Sequence, residues 1–195
     1  MYKRQPQLLG NYQDGDIAYV DLNNDGVVDA RDKKMLGNSY PRTVLGIDAN
    51  LQYKNWGLYI LGTAELGLNV WKNNAYYQNK GEGKYSVLAL DRWHPENNPN
   101  GTYPRLTTTE GENNFVNSSF WLGNGSYFRL KNVELSYTIT NKKENALAKK
   151  IKIFGRGTNL FSLSKEKDLD PELINAGINN YPVYRTLTGG VTVTF

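Results

Sequence analysis

Near the end of the chain, Leu187, Val191, Val193 and Phe195 fall on one side of an extended strand, and Thr186, Thr188, Thr192 and Thr194 on the other. A two-residue period of this kind is what a strand needs when one face meets an apolar phase and the other a polar one. Four further segments repeat it. Leu45, Ile47, Ala49, Leu51 and Tyr53 alternate with Gly46, Asp48, Asn50 and Gln52; Leu58, Ile60, Ala64, Leu66, Leu68 and Val70 alternate with Tyr59, Thr63, Glu65 and Asn69. Val133, Leu135, Tyr137 and Ile139 alternate with Asn132, Glu134, Ser136 and Thr138, and Ile151 and Ile153 with Lys150 and Lys152, running on less cleanly to Leu160 and Phe161. Upstream of Val133, the segment Phe128-Arg129-Leu130-Lys131 is out of phase with the remainder of its run, which predicts a bulge or the strand's emergence from the apolar layer.

These runs outlast the ordinary sheet strand of about 5–6 residues. They match the about 9–11 residues of a tilted strand that crosses a membrane. Apolar residues make up only 39% of the chain. That does not exclude a membrane barrel, because only alternate residues of its strands face lipid. The links between runs also alternate in length: residues 54–57 and 141–149 are short, residues 72–126 and 165–183 long. Barrels of the outer membrane show this asymmetry, with short periplasmic turns and long external loops. If Phe195 ends in the periplasm, both long loops and residues 1–42 lie outside the cell. Aromatics then gather at two levels, with Tyr53, Trp56, Tyr137 and Phe195 on the inner rim and Trp71, Tyr127, Phe161 and Tyr184 on the outer. On this topology a cysteine at Asn79 is external and one at Glu144 is not. Five strands cannot close a membrane barrel, whose smallest bacterial examples have about eight. The expected fold is therefore all-β, the C-terminal strands of a large antiparallel transmembrane barrel spanning residues 43–195.

Cysteine is absent, so neither a disulfide framework nor a thiolate metal site is available. The net charge of +4 is small and the lysines are scattered, which argues against nucleic acid as a partner. Met1-Tyr2-Lys3-Arg4-Gln5-Pro6 lacks the apolar core of a secretory leader. The expectation is either a cytoplasmic protein or a chain without its true N-terminus.

Residues 21–32 carry the most specific local motif. Asp21, Asn23, Asp25, Asp29 and Asp32 place side-chain oxygens at positions 1, 3, 5, 9 and 12 of a calcium-type loop, with Gly26 at position 6. Calcium is a hard cation that takes six to eight oxygens, and Val27 at position 7 would add its backbone carbonyl. Asp32 stands where the full EF-hand pattern has a bidentate glutamate, as in dockerin-like loops. The opposing reading is an acidic turn rigidified by its own Asx hydrogen bonds.

The segment from Gly15 through Asp29, followed by Gly37-Asn38-Ser39-Tyr40-Pro41, resembles a late external segment of the SusC/RagA-type TonB-dependent transporters of Bacteroidetes. Arg92-Trp93-His94-Pro95-Glu96-Asn97, Tyr103-Pro104-Arg105 and Ser126 through Val133 are similar to that family in the same order. Asn159-Leu160-Phe161, Asp170-Pro171-Glu172 and Tyr181-Pro182 complete the series. The resemblance implies a plugged barrel of about 22 strands, of which this chain supplies roughly the last five. It further implies import of glycans or peptides under a SusD-like lipoprotein lid, with TonB energising the protein through an N-terminal part not present here.

Trp71, Tyr76, Tyr77, Trp93 and Tyr103 flank or occupy the long loop, where they would stack on substrate or a lid protein, or else form the loop's own core. His94, the sole histidine, precedes Pro95 and reads as structural. Asp91, Glu96, Glu110 and Glu112 have no fixed separation, so no catalytic pair is assigned and no enzyme activity is expected. Arg105 and Arg129 are expected to pair with carboxylates. The alternative from another class is a secreted β-sandwich binding module carrying a dockerin-like calcium loop. A sandwich buries its apolar strand face in protein, whereas a barrel shows it to lipid.

Overall fold

The computed structural model describes residues 13–108, 113–141, 143 and 147–195. Among these residues seven strands form: β1 (Thr43–Tyr53), β2 (Trp56–Leu66), β3 (Asn69–Trp71), β4 (Leu122–Asn124), β5 (Tyr127–Thr140), β6 (Lys150–Ser164) and β7 (Thr186–Thr194). β1, β2, β5, β6 and β7 make one antiparallel sheet in that order, and β3 pairs with β4 in a two-stranded ribbon. No helix among the described residues is long and apolar enough to cross a membrane, which has no bearing on crossing by strands.

Register explains the two faces. Leu51 stands opposite Leu58, Leu58 opposite Leu135, and Leu135 opposite Gly155, which faces Gly189. Two rungs lower on the same face, Ile47 pairs with Gly62, and towards the turns Tyr137 pairs with Ile153 and Ile153 with Val191. One face is thus apolar across all five strands, and it is the exposed one: Ile47 is 56% and Leu135 50% accessible. On the other face Arg129 (3%), Glu134 (7%) and Ser136 are buried. A water-soluble sheet has the reverse arrangement.

The bulge lies where the phase shift predicts it. Against β2 the pairing slips between Leu130 and Asn132, leaving Lys131 as the extra residue; against β6, Lys131 stands opposite two residues, Asn159 and Leu160. Opposite it on β6, Asn159 takes φ +50. The slip has a further consequence for Tyr127. Because it pairs with Glu65 and Ser164, it turns to the polar face and is buried, so it does not join the outer aromatic rim.

The second run is also shorter than its pattern suggests. β2 ends at Leu66, and Gly67 turns the chain with φ +77, a conformation side chains disfavour. A Cβ there would also stand 3.1 Å from Arg42 Cβ. Leu68 therefore lies between strands, and Val70 belongs to a separate short strand, β3. At the other end of the sheet, β1 and β2 are joined through Lys54, at φ +55, and Asn55. Each antiparallel crossing reverses direction, so Thr43, Leu66, Tyr127, Ser164 and Thr186 all lie at the end from which the long connections leave.

The chain divides into two compact units that differ from a simple cut at residue 42. The sheet unit comprises residues 38–69, 124–172 and 181–195. The described residues within 13–37, 70–123 and 173–180 form the other, so the segment before β1 and the long loop share one core. Val70, Tyr77, Tyr103, Trp121 and Ile174 are buried there.

Candidate functional site

In the loop unit, residues 13–19 are woven into the far end of the long loop. Asp16 Oδ1 lies 2.6 Å from Arg105 Nε and accepts from Asn114 Nδ2 at 2.7 Å. Asn114 Oδ1 accepts from the Ile17 amide at 2.8 Å, and Asn113 Nδ2 donates to the Ile17 carbonyl at 2.6 Å. Tyr19 donates to the Asn113 carbonyl. Burial pushes its phenol up to about 12, so that donor persists throughout the neutral range. Gly15, at φ +85, permits a close approach: a Cβ there would come within 2.2 Å of the Trp93 ring.

This weave decides where the candidate aromatics go. Tyr103 donates to the Tyr77 carbonyl at 2.8 Å and accepts from the Asn79 amide at 2.9 Å. Tyr77 and Tyr103 are buried, so both build the loop's own frame. Trp71, Tyr76 and Trp93 are half-buried and keep part of their surface towards solvent. Trp121, missed in the sequence, is 3% exposed; its Nε1 donates to the Asn114 carbonyl at 2.7 Å, and its ring meets Phe115, Phe120 and Tyr103. The aromatic pair Phe120-Trp121 in an otherwise polar stretch was the available signal.

The carboxylates and His94 serve as struts. His94 Nδ1 accepts from the Glu96 and Asn97 amides at 3.3 and 3.2 Å, capping the turn immediately after it. Asp91 accepts from the Thr102 amide at 3.1 Å, from the Thr102 hydroxyl, and from Asn98 Nδ2 at 3.3 Å. Glu96 is exposed, and Glu110 and Glu112 lie outside the described residues.

The Thr102 bonds hold the Asp91 carboxyl below the usual carboxylate range. A depressed folded value contributes stability that is fully present above the unfolded value of about 3.9 and lost as pH falls through the folded one. Amide exchange at Thr102 in the intact protein is therefore expected to stay constant from neutral pH to about pH 4, after correction for intrinsic chemistry, and to accelerate only below it. Asp91→Asn should remove that acid step; a step surviving the substitution would assign it to another group.

Residues 21–32 fold on themselves. Asp21 Oδ2 accepts from the Gly26 amide at 2.8 Å, with Asn24 at φ +59 and Gly26 at φ +88 making the turn. Asp32 reaches back to accept from the Leu22 and Asn23 amides at 2.7 and 3.3 Å and from the Asp29 amide at 2.8 Å. Asn23 Oδ1 accepts from the Asp25 amide, and Asp25 Oδ1 from the Val27 amide. Arg31 Nη2 stands 2.6 Å from Asp25 and 2.8 Å from Asp29. Asp29 and Asp32 are both held below the usual carboxylate range, Asp29 by Arg31 and Asp32 by backbone amides. The all-oxygen donor set suits a hard cation. Among the described residues, however, no three acidic or histidine side chains converge as a formed metal centre, and Arg31 occupies two of the carboxylates.

On the polar face of the sheet, Glu134 bridges Lys152 Nζ at 2.6 Å and Arg156 Nη2 at 2.5 Å. Phe154 lies against Gly190, where a Cβ would approach its ring to 2.5 Å, and both cations stand over that ring. Arg105 and Arg129 do pair with carboxylates, Asp16 and Asp170 respectively.

No family model matches the chain. It is 32% identical over 207 residues to the TonB-dependent receptor P26 of Formosa agariphila, which covers 98% of this chain and 20% of that protein. It is 26% identical to the TonB-dependent receptor SusC of Bacteroides thetaiotaomicron, over 91% of this chain and 17% of SusC. The chain is a homologue of the SusC/RagA-type TonB-dependent receptors. Its fold agrees with that of the RagAB peptide importer in the open-open state, with a TM-score of 0.68 at 21% identity over 91% of this chain and 20% of the solved one. The closed-closed state gives 0.67. The five-stranded sheet thus has the fold of part of that solved barrel, and the chain spans about a fifth of the length of the relatives it matches. The curated relatives are named as receptors and the solved neighbours as a peptide importer.

Proposed function

We propose that the chain forms part of the wall and external loops of an outer-membrane TonB-dependent receptor that imports glycans or peptides together with a SusD-like lipoprotein. The inverted sheet carries this reading: a five-strand apolar face open to its surroundings, backed by buried Arg129 and Glu134. Lipid accommodates such a face, and water does not. A secreted β-sandwich would need that face packed against a second sheet. Energy coupling to TonB falls to parts of the receptor outside these residues. Trp71, Tyr76 and Trp93 are the aromatics offered to substrate or lid, with Tyr77 and Tyr103 as the buried frame behind them.

Topology is the test. Asn79 is buried and bonded to Tyr103, so Lys80, its exposed neighbour, is the better reporter. Glu144 lies outside the described residues, and Lys143 replaces it. In the intact receptor, cysteine at Lys80 should react with an impermeant maleimide on whole cells, and cysteine at Lys143 only after the outer membrane is opened. Equal labelling of both positions on intact cells would defeat the reading.

Calcium at residues 21–32 is the second part of the proposal, with Asp21, Asn23, Asp25, Asp29, Asp32 and the Val27 carbonyl as donors. The spacing of hard oxygens around Gly26 supports it, and sites outside the cell operate at about 10⁻⁴–10⁻³ M. Binding has to displace Arg31 from Asp25 and Asp29. In calorimetry on the intact receptor, Arg31→Ala is therefore expected to tighten calcium binding and Asp21→Ala to abolish it. Heat of binding that is indifferent to both substitutions would place the ion elsewhere.

A further inference from the structure

The side chain of Arg129, on the polar face of β5, is 4% exposed, and its Nη2 lies 2.5 Å from Asp170 Oδ1. Arg129 Nε and Lys131 Nζ each stand 3.3 Å from the same oxygen of Glu172. Two cations of one strand thus grip two carboxylates located a few residues beyond β6. The Asp170-Pro171-Glu172 turn is shaped for this: Asp170 Oδ1 also accepts from the Glu172 amide at 3.0 Å, and Pro171 is buried. Further back in the same segment, Glu166 Oε1 accepts from the Asn124 amide at 3.2 Å, and Ser164 donates to the Glu166 carbonyl.

The bulge makes the grip possible. Val133, Leu135 and Tyr137 occupy the apolar face at odd-numbered positions, so a regular strand would carry Arg129 and Lys131 onto that face as well. The extra residue at Lys131 shifts the phase and turns both cations inward.

We propose that residues 165–172 are a strap, clasped across the polar face by Arg129 and Lys131 at the end from which the long connections leave, and released when the clasp loses its carboxylate charge. Docked, the strap restricts that end of the polar face; released, it frees the connection to β7. Its consequence for uptake rests on the transporter reading, but the clasp can be tested without transport.

A nitroxide on cysteine at Lys167, an exposed strap position, in the intact receptor in detergent should give an immobilised spectrum. Asp170→Asn with Glu172→Gln should raise the mobile fraction severalfold, while Asp170→Glu, which keeps the charge, should leave it low. Heat-modifiable gel migration reports whether each variant has assembled. If the double variant does not assemble, Lys131→Glu decides, since Lys131 is 39% exposed and its reversal sets two carboxylates against each other; it too should mobilise the label. A spectrum unchanged in the double variant, or in Lys131→Glu where that variant decides, would overturn the clasp and leave packing around Pro171 as the restraint. A mobilised strap with unaltered uptake would sustain the clasp and count against its role in transport.

Discussion

Ile47→Arg is expected to strip assembled receptor from the outer membrane, whereas Asn50→Arg three residues later on the same strand is expected to be tolerated. Ile47 is 56% exposed on the apolar face opposite Gly62, while Asn50 lies on the polar face opposite Tyr59. In a protein folded in water, arginine at so exposed an isoleucine would change stability by no more than about 0.5 kcal/mol. Against lipid, an arginine near the middle of the bilayer costs about 2–4 kcal/mol, falling towards the interfaces. The contrast between the two positions is diagnostic because both side chains are exposed and differ in the face they occupy. Urea titration of the intact receptor refolded into lipid vesicles measures the difference, and surface abundance on cells should track it. Equal stability of the two variants would mean that the apolar face is covered by protein.

Separated from the rest of its protein, the 195-residue chain is expected to precipitate from plain buffer and to require detergent. Its sheet has no apolar layer of its own to fold around. At about 25 cal/mol per Å² of apolar surface, the exposed leucines, isoleucines and valines forgo the burial that stabilises an ordinary sheet. The outer edges of β1 and β7 meet no strand among the described residues, and each presents a row of backbone groups ready to template aggregation. Sedimentation of the purified chain with and without detergent distinguishes the cases. A monodisperse species that melts cooperatively in buffer would favour the β-sandwich and contradict the barrel wall.

Much of this fold was legible because the alternation of side chains along a strand is a local property. The alternation in residues 45–53, 133–139 and 187–195 depends only on which neighbours share a face, and the break of phase over Phe128–Lys131 marked the segment in which the structure places the bulge, at Lys131. Gly67 was harder to read. The pattern continued through Leu68 and Val70, and what ended β2 was a positive φ with Arg42 packed against the backbone, which a hydrophobic period does not record.

The sites show the same division more sharply. The oxygens of residues 21–32 were visible from spacing, but not that Arg31 would sit on two of them, because a guanidinium reaches Asp25 and Asp29 only once the chain has turned. Aromatics in the long loop were easy to mark, but Tyr77 and Tyr103 look no different in sequence from Tyr76. Their burial results from the Tyr103 hydroxyl meeting the Tyr77 carbonyl across 26 residues. Asp16 finds Asn114 at a separation of 98, and Arg129 finds Asp170 at 41. By itself, then, the sequence determined a membrane-type antiparallel sheet, its bulge and the ends from which long and short connections leave. Only the tertiary structure decided which aromatics are frame and which carboxylates are already held, because those outcomes depend on partners that the chain brings together from far apart.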